Sequence, residues 1–226
     1  YEGSDTVNVT NINRQLMATT QTVGLPKVEV LRERLLAINP RAEITSIQDI
    51  YQESNNDKFK LGEYDVIIDA IDSLESKMQL LVHATRTRAK VYSSMGAALK
   101  MDPTRIKVAE FWKVAGCPLA RALRDKFKRK KKKLAKKVLC VYSDELLKNR
   151  GKNSSCGTDA CMCPKIRSEH SEAELQNATL VGHEWCSSKA QINGTMAHST
   201  AIFGFMLAGL VMQDIYRKEL VESVHE

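Results

Sequence analysis

The stretch Tyr64–Ser94 reads YDVIIDAIDSLESKMQLLVHATRTRAKVYSS and decides the fold. Its first part, Tyr64–Ile68, is rich in apolar residues, as expected of a strand buried on both faces of a parallel sheet. Ser76–Arg88 predicts a helix, and Lys90–Ser94 predicts the next strand. Strands that alternate with helices in this way are typical of doubly wound α/β sheets. The sequence therefore predicts an α/β protein with a Rossmann-like, doubly wound sheet.

The residues before this stretch extend the same rhythm. Leu25–Ile38 predicts a helix whose apolar residues share one face, and Pro26 is tolerated in its first turn. Glu43–Ile50 alternates between polar and apolar residues, which predicts a strand. Val7–Thr10 alternates too and could be the end of another strand. Helix and strand thus alternate from the beginning of the chain.

The pattern changes after Asp102-Pro103, and we place a domain boundary there. We predict an α/β core at residues 1–103 and a C-terminal substrate region at residues 104–226. The second region is predicted to contain the strands Ile106–Phe111 and Val138–Tyr142, the basic helix Pro118–Lys133 and the closing helix at residues 197–220.

Positive charge is concentrated in one part of the chain. The 226 residues are 43% hydrophobic, enough for a large core, and carry a net charge of +7. Nine basic residues occupy the twelve positions of the basic segment, residues 126–137, and subtracting them from +7 leaves −2 for the remainder. Such a segment either binds a polyanion such as nucleic acid or is a solvated surface. The charge pattern leaves both interpretations open.

Neither a signal peptide nor a membrane span is predicted. Tyr1–Arg14 is polar, unlike a secretory leader. The most apolar stretch, Ala201–Met212, is shorter than the ~20 residues that cross a bilayer and is interrupted by Gly204 and Gly209. Six cysteines in a chain of this length without a leader indicate reduced thiols rather than disulfides. We therefore expect a cytoplasmic protein.

Three groups of polar residues have the character that a nucleotide site requires. They are Asn11–Gln15, Lys27 at the start of a predicted helix, and Asp69–Ser73 directly after the buried strand. Arg14 and Lys27 can neutralise phosphate charge, and Asp72 can hold Mg²⁺. Each residue alone is more often a surface residue or a helix cap. In this order, with Asp72 at the carboxyl end of a parallel strand, they predict a site for ATP.

This pattern resembles the ThiF-type adenylating enzymes of the ubiquitin-activating superfamily. The matching residues are Asp5-Thr6-Val7, then Asn11, Arg14 and Gln15, then Lys27, and then Asp72 of a D-x-x-D segment. The resemblance implies that Arg14 and Lys27 contact the ATP phosphates and that Asp72 serves the metal and the phosphates. It also implies that Asn11 and Gln15 line the same site.

One part of the ThiF-type pattern is absent from this chain. The family begins with a strand and a glycine-rich G-x-G-G-x-G loop, but no two glycines here are two residues apart. Gly3 stands where the family has an acidic residue that binds ribose. We expect the missing N-terminal strand and glycine loop to be encoded upstream of Tyr1. Without them, we expect this chain to bind ATP poorly or not at all.

A second ordered set of motifs resembles the threonylcarbamoyladenosine dehydratases that act on tRNA. The set consists of Tyr92–Ala98, Asp102–Ile106, Cys117–Ala120, Val141–Glu145 and Thr200–Phe205. The resemblance implies that the threonyl carboxylate attacks the α-phosphate of ATP, after which the acyl-adenylate closes a ring and expels AMP. The net change is loss of water, and ring closure needs little more than positioning because the nucleophile is tethered. The tRNA phosphates would contact Lys128, Arg129, Lys130, Lys131, Lys132 and Lys133.

Four cysteines are candidate ligands for a zinc ion. Cys156, Cys161, Cys163 and Cys186 could supply the four ligands that structural Zn²⁺ takes. Related sulfur-carrier activators use two C-x-x-C pairs, and this spacing is different. Buried reduced thiols or a redox pair are the alternatives.

Two other functions remain as alternatives. A ThiF-type activator of a small sulfur-carrier or ubiquitin-like protein would need two C-x-x-C pairs and an exposed catalytic cysteine, and it would leave the basic segment unexplained. A nucleic-acid-binding scaffold without a nucleotide site would follow if the gene began at Tyr1. The resemblance also implies a homodimer with each ATP site built partly across the interface, and a sulfur-transfer protein stays open as a partner.

Overall fold

The computed structural model describes residues 6–149 and 193–223. One open sheet contains the strands β1 (Val66–Asp69), β2 (Lys90–Ser94), β3 (Ile106–Glu110) and β4 (Leu139–Ser143). Their order across the sheet is β1-β2-β4-β3. β1, β2 and β4 run parallel, and β3 pairs antiparallel with β4. The predicted α/β class is confirmed, with one antiparallel strand at the edge.

Four α-helices lie in the described residues: α1 (Lys27–Ile38), α2 (Leu74–Ala84), α3 (Pro118–Arg129) and α4 (Ala197–Ser223). Short 3-10 helices occur at Val9–Asn11, Glu53–Phe59, Leu61–Glu63, Pro103–Arg105 and Phe111–Lys113. α3 ends four residues before the predicted Lys133. In a longer helix, lysines of this run would lie one helical turn apart and repel one another. Lys131 instead takes a left-handed conformation with φ 51°.

Two predicted strands are absent from the described chain. Glu43–Ile50 has no strand and contributes only a single bridge position at Ile47, because alternation forms a strand only where a neighbouring strand supplies hydrogen bonds. Val7–Thr10 is also not a strand. Its latter part belongs to the 3-10 helix that starts at Val9, and the Asn8 side chain caps that helix by accepting a hydrogen bond from the Thr10 amide.

Helices cover both faces of the sheet, as a doubly wound fold requires. Neighbouring residues of a strand point to opposite faces. Tyr92 packs with Phe203 and Leu207 of α4 in one core cluster, together with Val141 of β4. Ser93 points to the other face, where it hydrogen-bonds with the network that α2 supplies. α4 and α2 therefore lie on opposite sides of β2.

α4 is long and apolar enough to cross a membrane, judged by the length and composition of Ala197–Leu220 alone. A helix packed against a sheet passes the same test, so this finding does not establish a span. α4 packs one face against the sheet, and Asp214 accepts a hydrogen bond from Tyr92 and pairs with Lys90 at 3.3 Å. The expectation that the chain has no span therefore stays a prediction.

The chain divides into two compact units. The first combines residues 1–50 and 149–197, and the second combines residues 51–148 and 198–226. The second unit holds the sheet with α2, α3 and nearly all of α4, whereas the first holds α1. The proposed boundary at residue 103 stays a prediction about function. β1 and β2 precede this boundary in the sequence, and β3 and β4 follow it.

Candidate functional site

In the first unit, backbone hydrogen bonds join the N-terminal segment to the start of α1. Thr6 forms an antiparallel bridge with Pro26, the residue before Lys27. The Val7 amide donates to the Leu25 carbonyl oxygen at 2.8 Å. Val7 also packs with Ala18 and with Val30 of α1 in a small core. The segment that carries Asn11, Arg14 and Gln15 is thereby tied to the helix that begins with Lys27.

Asn11 and Gln15 differ in what their side chains do. Asn11 is buried, and its side-chain oxygen accepts a hydrogen bond from the Asn8 amide at 3.0 Å, so it shapes the turn. The side-chain oxygen of Gln15 is also buried, and it has no hydrogen-bonding partner in the part of the chain that the structure describes. A buried polar atom without a partner is rare. Gln15 is therefore suited to meet a bound ligand.

Arg14 and Lys27 supply positive charge in this unit. Arg14 is held by hydrogen bonds from its guanidinium to the Thr10 carbonyl oxygen at 2.8 Å and to the Asn13 side chain at 3.0 Å. Lys27 is the first residue of α1, and the preceding Pro26 makes no side-chain capping hydrogen bond. A helix N-terminus carries partial positive charge and binds phosphate. Lys27 strengthens that preference.

In the second unit, a buried ion pair fixes the carboxyl end of β1. The Lys77 amine lies 2.7 Å from the Asp69 carboxylate, and both side chains are fully buried. Asp69 also accepts hydrogen bonds from the Ser93 hydroxyl at 2.5 Å and from the Ile71 amide at 3.1 Å. Lys77 donates to the carbonyl oxygens of Ile71 at 3.0 Å and Ser94 at 2.8 Å. Each charge thus has several partners.

This network determines where Asp72 lies. A buried ion pair persists when hydrogen bonds satisfy both charges, and here those bonds hold the backbone on either side of the loop after β1. Asp72 follows directly and is exposed at the carboxyl edge of the sheet. Sequence reasoning missed Lys77, although a signal existed. Lys77 falls on the apolar stripe of α2 between Leu74 and Leu81, where an unpaired charge would be costly.

A second buried amine lies at the same edge, in the loop after β2. Lys100 is only 4% exposed, and its amine has no hydrogen-bonding partner among residues 6–149 and 193–223. Burial lowers its pKa. The loop is held by Glu145, whose carboxylate accepts from the amides of Met101 at 2.7 Å and Asp102 at 2.9 Å, and these bonds lower the pKa of Glu145. No sequence signal marked Lys100 as buried.

The structure gives no support for a metal site in the described residues. Those residues contain no group of three or more histidine, cysteine or acidic side chains that could hold a metal ion. Cys117 and Cys140 are free and buried, and burial raises the pKa of the Cys140 thiol to about 12. The candidate zinc ligands lie outside the described residues: Cys156, Cys161, Cys163 and Cys186.

The basic segment begins in the last turn of α3 and ends at the amino edge of the sheet. It joins α3 to Leu139, the first residue of β4, which pairs with Glu110 at the end of the antiparallel strand β3. The Lys136 amine donates to the Thr87 carbonyl oxygen at 2.6 Å and to that of Ala89, and both residues precede β2. Ala135 and Lys136 of the segment therefore lie at the amino edge, whereas Lys126 at its start pairs with Glu75 in the first turn of α2, three residues after Asp72.

Some of these cations already have acidic partners. Lys126 pairs with Glu75 at 2.5 Å, and Lys132 pairs with Glu53 at 3.5 Å. Within the described ranges, no ion pair is found for the exposed residues Lys128, Arg129, Lys130, Lys131, Lys133 and Lys137. These six are the ones whose charge is available to a polyanion.

The open sheet, with polar loops at its carboxyl edge, defines a protein of the Rossmann-like α/β class. The chain belongs to the ThiF family, whose model matches residues 4–225. It is 38% identical over 141 residues to the tRNA threonylcarbamoyladenosine dehydratase of Bacillus subtilis (strain 168), and 37% identical over 148 residues to that of Escherichia coli (strain K12). These matches cover 62% and 63% of this chain and 55% of each relative.

Solved structures agree with the fold. The E. coli dehydratase TcdA in complex with ATP is 28% identical, with a TM-score of 0.72, over 97% of this chain and 75% of that one. Its complex with AMP gives a TM-score of 0.73 and covers 76% of that chain. The predicted Rossmann-like fold of the ThiF type is confirmed. The chain spans about half the length of the curated relatives it matches.

The site residues predicted from the sequence fall into two groups. Asn11, Arg14, Gln15 and Lys27 lie in the first unit, and Asp72 lies in the second. Their convergence on one triphosphate stays a prediction.

Proposed function

We propose that this chain is part of a tRNA threonylcarbamoyladenosine dehydratase, which uses ATP to cyclise the threonylcarbamoyl group of a modified adenosine. The observation that carries the proposal is the similarity, over 97% of the chain, to a dehydratase whose structure was solved with ATP. Membership of the ThiF family and the names of the relatives agree with it.

Arg14 and Lys27 would act on the phosphates. Attack of the threonyl carboxylate on the α-phosphate brings two negatively charged groups together, and cations already in position lower the energy of that transition state. Lys27 at the N-terminus of α1 has the geometry for this role, because the helix amides point the same way. The unpartnered Gln15 oxygen would accept a hydrogen bond from the nucleotide.

Asp72 would hold Mg²⁺ at the phosphates. Mg²⁺ is usually bound by one or two carboxylates together with substrate phosphates and water. An exposed carboxylate held in place by the Asp69–Lys77 network fits that requirement. Mg²⁺ would neutralise phosphate charge as the pyrophosphate leaves.

The basic segment would bind tRNA. Its exposed cations would contact tRNA phosphates along α3 and beyond its end, from the neighbourhood of Glu75 to the amino edge of the sheet. We also propose a homodimer and a cytoplasmic location. The outward face of α4 supports the dimer, because it exposes Phe205, Met212 and Tyr216. Zn²⁺ and a sulfur-transfer partner stay predictions.

The activator of a sulfur-carrier protein is the weaker alternative. It needs an exposed catalytic cysteine, and both cysteines in the part of the chain that the structure describes are buried. The similarity to the molybdopterin-synthase adenylyltransferase of E. coli (strain K12) covers 43% of the chain, less than the similarity to the dehydratases.

Pyrophosphate release by the full-length protein tests the proposal. We expect release to require threonylcarbamoyl-modified tRNA. Arg14→Ala and Lys27→Ala should each lower kcat by roughly 100- to 1,000-fold, the range for loss of one transition-state contact. Arg34→Ala, which removes an exposed cation from α1, is the matched control and should keep normal activity. Release stimulated equally by unmodified tRNA would refute the assigned substrate.

A further inference from the structure

An exposed tryptophan lies beside the basic segment. Trp112 is 45% exposed, whereas Phe111 before it and Phe127 of α3 are fully buried. It belongs to the 3-10 helix that follows β3. Single exposed apolar residues are common and need no explanation, so what matters is how this ring is held and what surrounds it.

The ring of Trp112 is held firmly. It makes edge contacts with Phe111 at a centroid distance of 5.0 Å and with Phe127 at 6.0 Å. Its backbone amide donates to the Glu110 carboxylate at 2.9 Å. The Arg124 guanidinium of α3 donates to the carbonyl oxygen of Phe111 at 3.3 Å, and to that of Val114 at 2.8 Å. The indole is thus fixed to the same helix that carries the basic segment.

The surroundings of this ring are cationic. Phe127, which contacts the indole, is followed directly by Lys128 and Arg129, and Trp112 is followed by Lys113. All three cations are exposed. The nearest acidic residue in sequence, Glu110, is occupied in capping the Trp112 turn.

We propose that Trp112 stacks against an unpaired base of RNA while Lys128 and Arg129 contact the adjoining phosphates. Rigid aromatic side chains within a cationic surface are how proteins hold single-stranded nucleic acid, because every base has a face that can stack. An acidic peptide would use the cations but would gain little from an exposed ring. That the RNA is tRNA rests on the proposed function.

The position of Trp112 determines what it would do for the reaction. Glu110 pairs with Leu139, the first residue of β4, so the ring lies at the amino edge, whereas Asp72 lies at the carboxyl edge. Trp112 is therefore a binding residue remote from the reacting atoms. Its loss should raise KM for tRNA and leave kcat unchanged.

Intrinsic fluorescence tests the contact directly. The chain has two tryptophans, so Trp185→Phe leaves Trp112 as the only indole. We expect a single-stranded oligouridylate to quench its emission in a saturable way. A duplex RNA of equal length, at equal salt, should quench it much less. Quenching by polyglutamate as strong as that by RNA would overturn the proposal in favour of an acidic protein partner.

Substitutions give the second readout. Trp112→Leu keeps apolar packing on Phe127 but lacks the aromatic face, and it should weaken oligouridylate binding roughly 5- to 150-fold, whereas Trp112→Phe should retain most of it. Tyr64→Ala is the control, because Tyr64 is equally exposed, at 46%, and precedes β1 at the other side of the sheet. Unfolding midpoints would verify that each variant is folded.

The two proposals fail in different ways. If modified tRNA drives pyrophosphate release but Trp112→Leu binds RNA as tightly as the unsubstituted protein, the stacking contact is refuted and the enzyme assignment stands. If RNA quenches Trp112 but no tRNA supports pyrophosphate release, the enzyme assignment is refuted and the RNA contact stands.

Discussion

Lys100 shows how a single residue can be costly to the fold. Its amine is buried without a hydrogen-bonding partner among the described residues, and the charged groups that act on it are Glu145, Arg105, Asp144 and the Cys117 thiol. Burial lowers its pKa below the ordinary value of 10.5. At pH values between the pKa of Lys100 in the folded chain and its pKa in the unfolded chain, the unfolded chain therefore binds a proton that the folded chain has lost. Stability contributed by this residue accordingly rises with pH through that window.

Lys100→Met should stabilise the protein at neutral pH. The substitution keeps the aliphatic packing and removes the buried charge, which at pH 7 should gain roughly 1–3 kcal/mol in the free energy of unfolding. The gain should shrink as pH approaches 10.5, where the unfolded lysine also loses its proton. Urea unfolding of both proteins at pH 7 and pH 10 measures it, with exposed Lys113→Met as control. A less stable Lys100→Met at pH 7 would mean that the amine has a favourable partner.

Among single residues, the sequence predicts exposed charges better than buried ones. Arg14, Lys27 and Asp72 could be selected because their order matches a family pattern. Lys77 could have been selected from its place on the apolar stripe of α2, but Lys100 could not, since a lysine in a loop is nearly always exposed. Only the three-dimensional packing shows that both amines are buried.

At the scale of elements, the loop between β3 and α3 depends on one glycine. Gly116 has φ 75°, and a Cβ atom there would lie 2.8 Å from Asp144 Cβ and 3.0 Å from its Cα. Asp144 is itself held by Arg105 at 2.8 Å and by Lys107 at 2.5 Å, and these cations lower its pKa to about 2. The β3–α3 loop and the segment after β4 therefore fit only without a side chain at Gly116.

Gly116→Ala should be strongly destabilising. Left-handed backbone strain alone costs roughly 1–2 kcal/mol, and the contact with Asp144 adds to it. Gly62→Ala is the control, because a Cβ atom there meets nothing within 4 Å. We expect thermal unfolding to show a clear decrease in the midpoint for Gly116→Ala and almost none for Gly62→Ala. Equal midpoints would show that the loop relaxes without cost.

Periodicity predicted the helices and the central strands but not every element. The elements within Tyr64–Ser94 are predicted correctly in type and order because an apolar run between turns has few alternatives, although α2 begins two residues and ends four residues earlier than predicted. The prediction of a strand at Glu43–Ile50 is wrong. Alternation of polar and apolar residues shows which side chains are exposed, but it does not show whether a neighbouring strand is present to supply hydrogen bonds. The end of α3 was placed too late, because charge repulsion along a lysine run is not part of the apolar pattern.

At the scale of the whole molecule, the basic segment extends from Glu75, near the carboxyl edge of the sheet, to Thr87 and Ala89 at the amino edge. The sequence could not show this, because it does not give the direction in which α3 packs against α2. Under the proposed function, the lysines would supply most of the affinity for tRNA, and residues at the carboxyl edge would supply the chemistry.

The salt dependence of tRNA binding tests the contribution of the basic segment. Replacing Lys128, Lys130, Lys131 and Lys133 with glutamine should flatten the slope of log K against log salt by roughly 2.8–3.6 if all four contact phosphates, because each lost phosphate contact removes ~0.7–0.9. At saturating tRNA, kcat should not change. Glutamine at exposed Arg34, Arg41, Arg217 and Lys218 removes the same charge elsewhere and should leave the slope nearly intact. An unchanged slope in the first variant would exclude the segment from tRNA binding.

α3 connects the two edges, and its length sets a scale for the substrate. Its first turn packs near β2, since a Cβ atom at Gly96 would lie 3.4 Å from Leu119 Cβ, and its last residue opens the lysine run. Twelve residues of helix measure ~18 Å. Deleting a single helical turn would draw the lysines ~5.4 Å closer to the Gly96 end of α3. A tRNA held by those lysines would then have to shift by that distance to keep its modified adenosine at the carboxyl edge.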